Sequence, residues 1–310
     1  MRVGRSMTEV VGRTPVTQLR RVVPDDAAEV FIKLEWFSPT GSYKDRMALA
    51  MIEEAERRGE LRPGMTVLEY TAGSTGSSLA YVCAAKGYPL KLVTSDAFAP
   101  EKLATMAALG AELVIVHSPG GKITPDLTPT MIEAARRLAD DPNVYWTNQL
   151  HNTDSLVGYR QVGAELLEQM GPTIDVFCCA VGTSGMAMGV KDAFDAAGCA
   201  ARLVIFEPDS SPVISAGEVG DNSVEGIGIG LVPPLLDAGK YDEVRAVSER
   251  DAFEMARRLA AEEGLMAGAS TGLNVVGAIQ LAKELGPGKT VVTVACDTGL
   301  KYLAGDLYRR

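Results

Sequence analysis

The segment TVLEYTAGSTGSSLAYVCAAKGYPLKLVTS, residues 66–95, decides how this chain folds. Two apolar runs, TVLEY (66–70) and LKLVTS (90–95), have strand length and β-branched content, and between them lies SSLAYVCAAKG, a helical stretch. Strands joined through a helix are parallel, because a parallel pair needs a long crossover where an antiparallel pair needs only a short turn. The same alternation continues outward. EVFIKLE (29–35) precedes the helical run after Lys44, LKLVTS precedes APEKLATMAALG, and AELVIVH (111–117) precedes TPTMIEAARRLAD across the loop SPGGKITPDL. Further on come DVFCCAV, ARLVIFE and TVVTVAC, again with helical segments between them. Mostly apolar strands separated by helices predict an α/β fold, with mostly parallel sheets covered by helices. No repeat, low-complexity tract or long linker interrupts the pattern. The Gly-, Ser- and Pro-rich stretch 210–234 reads as an irregular surface or active-site segment rather than a hinge.

At 310 residues the chain has room for two domains with cores of their own, and 46% hydrophobic with 23% charged residues is a soluble composition. A formal net charge of −10 speaks against nucleic acid or an anionic membrane as a partner. Five cysteines (Cys83, Cys178, Cys179, Cys199, Cys296) form no C-x-x-C pair, and with two histidines, His117 and His151, no metal-ligand pattern is present. Reduced cysteines, the lack of an apolar leader in MRVGRSMTEVVGRTP and the lack of a membrane-length apolar run predict a cytoplasmic protein.

Three loops at strand-to-helix turns are rich in small residues: TAGSTG (71–76), GTSGMAMG (182–189) and GASTG (268–272). Ligands of open α/β sheets collect at such turns. Exposed N–H groups of a first helical turn bind anions, and glycine lets the backbone come close. Any one of these loops alone reads equally as an ordinary turn. Two nucleotide readings fail on spacing. GPGKT (286–290) lacks the upstream glycine of a phosphate-binding loop, and Gly182, Gly185 and Gly189 do not have the dinucleotide-binding spacing. Lys44, in SPTGSYKDR (38–46), opens a helix, the end at which the backbone dipole repels a cation. Two readings stand at this point: the lysine reaches solvent, or it condenses with an aldehyde cofactor such as pyridoxal phosphate, which removes the ammonium.

GRTP, KLEWFSPTGSYKDRMALAMI, AAKGY, FEPDSSPV, EGIGIG and GASTG fall in one family's order, from VGRTPVTQL (11–19) to CDTGLKYLAGDL (296–307). Over nearly its whole length the chain resembles the fold-type II pyridoxal-phosphate enzymes of the cysteine synthase and cystathionine β-synthase group, which share the fold of the tryptophan synthase β subunit. The resemblance implies a smaller N-terminal α/β domain over residues 42–148, with 1–41 and 149–310 forming a larger cofactor-binding domain. It implies Lys44 as the lysine that anchors the cofactor and moves the α-proton. Gly182, Thr183, Ser184 and Gly185 become the phosphate cup, and Ser74 lies beside the cofactor's phenolic oxygen. Thr71, Ala72, Gly73, Thr75, Gln149 and, in EGIGIG, Gly226 fall on the substrate side. Ser270 faces the pyridine nitrogen, where a neutral hydroxyl does not force protonation and leaves the ring a weaker electron sink.

The implied activity is β-replacement on an activated serine through an aminoacrylate, with a sulfide-like nucleophile, giving cysteine or a related β-substituted alanine. The implied assembly is a homodimer. The alternatives are a β-eliminating lyase of desulfhydrase or dehydratase type, and a catalytically weak homologue that acts as a binding partner. Three positions depart from the family pattern: Ala72 stands for a serine, Ser74 for an asparagine and Met186 for a threonine. The first two remove polar reach from the carboxylate loop, so O-acetylserine is expected to be accepted, but less efficiently than another β-substituted alanine or with a nucleophile other than sulfide.

Overall fold

The chain follows the order β1 (Val16–Leu19), β2 (Glu29–Leu34), α1 (Lys44–Arg58), β3 (Thr66–Tyr70), α2 (Ser74–Lys86), β4 (Leu90–Ser95), α3 (Pro100–Ala108), β5 (Glu112–Val116), α4 (Leu127–Leu138) and β6 (Val144–Trp146). It continues through α5 (Asp154–Met170), β7 (Val176–Ala180), α6 (Gly185–Ala196), β8 (Arg202–Pro208), β9 (Glu243–Val247), α7 (Glu249–Arg258), α8 (Ala269–Leu285) and β10 (Thr290–Ala295). These elements come from a computed structural model, which describes residues 3–71, 73–121, 124 and 126–309. They form two compact units, one comprising the N-terminus up to Val11 with Lys44–Gly158, the other Gly12–Tyr43 with Tyr159–Arg310.

The first unit holds a four-stranded sheet in the order β5-β4-β3-β6, parallel throughout. The expected strand–helix–strand unit is at its centre: β3 pairs with β4 from Val67–Leu90 to Tyr70–Val93. Leu68, Tyr70 and Val93 pack under Leu127, Met131 and Ala135 of α4. Helix α2 ends at Gly87, which takes a φ of 79° to close the helix, and α3 begins with a proline in its first turn.

The second unit holds a six-stranded sheet in the order β1-β2-β10-β7-β8-β9, parallel apart from the antiparallel edge pair β1–β2. Helix α8 lies over this sheet with 13 of its 17 residues buried and its exposed ones, Gln280, Lys283 and Glu284, near its end, which is why ASTGLNVVGAI is apolar or small on all sides rather than along one stripe. Close approach depends on two glycines. A Cβ on Gly272 would stand 2.0 Å from the Ala252 carbonyl oxygen of α7, and one on Gly277 would stand 2.5 Å from the Phe206 ring of β8.

The sequence reading places the long strands and their helices but passes over β1, β6 and β9, short strands with few buried residues and weak apolar contrast. Residues 210–234 hold neither helix nor strand. Among the described residues no helix is long and apolar enough to cross a membrane, and all five cysteines are buried and outside any disulfide.

Candidate active site

In the first unit the residues of interest gather where β3 ends and α2 begins. Gly73 caps α2 without any side-chain cap, and the first turn carries no acidic residue. The initial N–H groups of such a helix have no intrahelical acceptor and point toward an anion. Thr71 Oγ1 accepts from the Gly73 N–H at 3.3 Å and shapes the turn. Thr75 Oγ1 donates to Gln149 Oε1 at 2.7 Å, and Gln149 Nε2 reaches the Tyr70 carbonyl at 3.4 Å. Thr71, Gly73, Ser74, Thr75 and Gln149 are thus brought together; Ala72 lies outside the described residues.

A residue that sequence reading passed over holds this group in place. Glu69 is fully buried on β3. Its Oε1 accepts from the Tyr70 N–H at 2.9 Å and Trp146 Nε1 at 3.4 Å, and its Oε2 from Thr147 Oγ1 at 2.7 Å and the Gln149 N–H at 2.9 Å. Burial pushes this carboxyl above its ordinary value, and the four hydrogen bonds oppose that rise. The signal was available: one acid inside an otherwise apolar strand has to be buried with donors around it.

In the second unit the turn after β7 carries Gly182, Thr183 and Ser184, and α6 starts at Gly185. Ser184 adopts a left-handed conformation with φ 62°, which turns successive N–H groups toward one side. Its hydroxyl donates to the Thr183 carbonyl at 2.6 Å, so α6 also has no side-chain cap, and no acid stands in its first turn. Gly226 comes against this turn: a Cβ on Gly182 would lie 2.1 Å from the Gly226 carbonyl oxygen.

Ser270 is the second residue of α8 and is buried. Its turn is held by the segment after β10. Gly268 N–H donates to the Asp297 carbonyl at 3.3 Å and Gly299 N–H to the Met266 carbonyl at 2.9 Å. The same segment grips the turn that leads into Lys44: Tyr43 N–H donates to the Cys296 carbonyl at 3.0 Å and Thr298 N–H to the Gly41 carbonyl at 2.9 Å. Four residues, 296–299, therefore hold the turn preceding Lys44 and the turn preceding Ser270. Tyr302 reinforces them by donating to Asp297 Oδ2 at 2.8 Å; burial and then the Asp297 charge keep that phenol protonated. Lys44 itself is the first residue of α1 and is 8% exposed, so the reading in which it reaches solvent does not hold.

Residues 7–297 match the family described as pyridoxal-phosphate dependent enzyme. The chain belongs to that family. The cysteine synthase of Staphylococcus aureus (strain Mu50) is 43% identical over 305 residues, 98% of this chain and 96% of that protein. The crystal structure of O-ureido-L-serine synthase matches with a TM-score of 0.92 and 32% identity, covering 99% of this chain and 96% of its own. The crystal structure of cysteine synthase from Entamoeba histolytica matches with a TM-score of 0.93 and 29% identity, covering 99% of this chain and 91% of its own.

The family's cofactor is pyridoxal phosphate, and the residues present fit it. The phosphate needs a run of N–H donors without a competing side-chain cap or acid, and the start of α6 offers that. The pyridine ring needs a neutral partner, which Ser270 has the chemistry to be. The aldehyde needs an amine, and Lys44 follows a turn fixed by two backbone hydrogen bonds, at the Gly41 carbonyl and the Tyr43 N–H, which together make the Ser42–Asp297 bridge.

Proposed function

We propose that this enzyme replaces the leaving group on Cβ of an activated serine with a sulfide-like nucleophile and so makes cysteine. The observation that carries the reading is the 43% identity to a cysteine synthase across 98% of the chain. Bound pyridoxal phosphate supplies an electron sink for the pair left when the α-proton is removed. The N–H groups of Gly182, Thr183, Ser184 and Gly185 hold its phosphate. Ser270 hydrogen-bonds its ring nitrogen without imposing a charge, and Ser74 stands near its phenolic oxygen. The N–H groups at the start of α2, with Thr71, Thr75 and Gln149, bind the substrate carboxylate and orient the α-carbon, while Gly226 borders the substrate. Lys44 Nζ would anchor the cofactor and would serve as the general base for the substrate's α-proton.

Borohydride reduction tests the centre of this reading. The phosphopyridoxyl group should be found on Lys44, and Lys44→Ala should lose both that label and nearly all turnover; label on Lys33 or Lys191 instead would overturn it. Incubation with O-acetylserine separates the alternatives: replacement requires sulfide, an eliminating lyase gives pyruvate without it, and a binding protein gives neither.

The likeness to O-ureido-L-serine synthase favours a second reading, in which the nucleophile is something other than sulfide. Ser74 and Ala72 are the positions on which it turns. Ala72→Ser combined with Ser74→Asn should raise sulfide-dependent kcat/KM relative to other nucleophiles. An unchanged ratio would leave an ordinary cysteine synthase. The working form is proposed to be a cytoplasmic homodimer, which sedimentation of the purified protein tests.

A further inference from the structure

The six-stranded sheet has one short seam. Strand β10 pairs with β2 over six residues and β7 with β8 over five, whereas β10 and β7 are in register at Val291–Val176 and Val292–Phe177 alone. This seam is also where the strand order reverses, since β7, β8 and β9 step toward one edge and β10 lies on the other side. In open α/β sheets ligands bind outside the carboxyl ends of the strands at such a reversal. Past Val292 and Phe177, the backbone groups of the two strands take side chains as partners. Thr293 Oγ1 donates to the Cys178 carbonyl at 2.8 Å. Asn274, wholly buried on α8, does more: its Oδ1 accepts from the Ala180 N–H at 2.7 Å and its Nδ2 donates to the Val294 carbonyl at 2.8 Å. A donor on one strand and an acceptor on the other fix the orientation of the amide. One side chain thus stands in for ladder bonds and spans the seam where the strands part.

The two ends of that bridge lead into the site. Ala180 precedes Gly182 by two residues, so the Asn274–Ala180 bond holds the strand end from which the Gly182–Gly185 turn springs. Asn274 lies four residues, about one helical turn, after Ser270 and on the same side of α8. We propose that Asn274 is a positioning residue for the cofactor: it fixes the phosphate-binding turn at a set offset from Ser270 and keeps the crevice between β7 and β10 open. The proposal rests on the reading of Gly182–Gly185 and Ser270 as cofactor contacts. A wholly buried amide with both ends occupied is hard to replace, because an apolar side chain leaves an N–H and a C=O unpaired.

The test measures cofactor affinity and apo-protein stability separately. Pyridoxal phosphate is titrated into apo-protein and its Kd read from absorbance and intrinsic fluorescence, while Tm of each apo-protein is recorded in parallel. Asn274→Leu should raise Kd about tenfold or more and shift the 31P resonance of the bound phosphate. Thr293→Val cuts another side-chain link across the same seam without reaching the turn. It should lower Tm yet leave Kd within about twofold. A wild-type Kd in Asn274→Leu, or an equal rise in Thr293→Val, would show that Asn274 only stabilises the sheet and would overturn the proposal. If Asn274→Leu does not fold, Asn274→Ser, too short to span both partners, is read by the same criterion. Failure of wild-type protein to take up pyridoxal phosphate, or borohydride label on a lysine other than Lys44, would instead refute the site itself, and the role of Asn274 with it.

Discussion

Replacing Glu69 by glutamine keeps the shape of the side chain but presents an NH2 group where two donors now meet an oxygen. Two of the four donors, among Tyr70 N–H, Trp146 Nε1, Thr147 Oγ1 and Gln149 N–H, would lose their acceptor. At 1–3 kcal/mol for each buried unsatisfied group, the expected loss of stability is about 2–6 kcal/mol, measurable by urea unfolding. Because Gln149 N–H is one of those donors, KM for the amino-acid donor should also rise several-fold while the Kd for pyridoxal phosphate stays unchanged. An unchanged KM would mean that Glu69 holds the strand end but not the substrate. Ser270 is the other informative residue. Ser270→Asp should protonate the ring nitrogen and slow loss of the Cβ substituent, whereas Ser270→Ala removes one neutral hydrogen bond of about 1 kcal/mol. An aspartate variant as active as wild type would count against the neutral-partner role.

Helix α8 shows how close packing and capping differ in cost. A Cβ on Gly272 meets the backbone carbonyl of Ala252, which has no rotamer to escape into, so α7 and α8 must move apart. Gly272→Ala should cost about 3 kcal/mol or more, at or beyond the upper end of ordinary overpacking, and lower Tm accordingly. Helix α7 begins with Ser248, whose hydroxyl accepts from the Asp251 N–H at 3.2 Å. Ser248→Ala should cost about 1 kcal/mol, the usual value for a lost N-terminal cap. If the two substitutions cost the same in urea melts, the helix contact at Gly272 is softer than its geometry implies.

Across the whole molecule, burial of weak acids sets the alkaline limit. Burial raises the Cys83 and Cys178 thiols from the ordinary 9.0 to about 12, and the Tyr70 and Tyr145 phenols from 10.0 to about 12. Between about pH 9 and pH 12 the unfolded chain has lost protons that the folded chain still holds, so stability must fall as pH rises through that window. The slope is about 1.4 kcal/mol per pH unit for each proton by which the two states differ. Urea midpoints should be level near pH 8 and decline steadily above pH 9. The same burial predicts that native protein resists iodoacetamide at pH 8 and that all five cysteines alkylate only after unfolding. Fast labelling of any cysteine in native protein would contradict it.

The α/β class was legible in residues 66–95, because apolar strands of five or six residues with a helix between them have few other ways to bury their surface. The turns proposed to bind anions were legible as glycine-rich loops, and Lys44 as a cation at the wrong end of a helix. These are local properties, set by side-chain chemistry and by short spacing along the chain. What the tertiary structure alone decided is which distant residues meet. Glu69 finds Thr147 and Gln149 eighty residues or so away, residues 296–299 bind turns at Gly41–Tyr43 and Met266–Gly268, and Asn274 spans Ala180 and Val294. No periodicity encodes such pairings. They arise because a buried polar group must find a partner, and which partner is within reach depends on the strand order and on how closely α8 approaches the sheet.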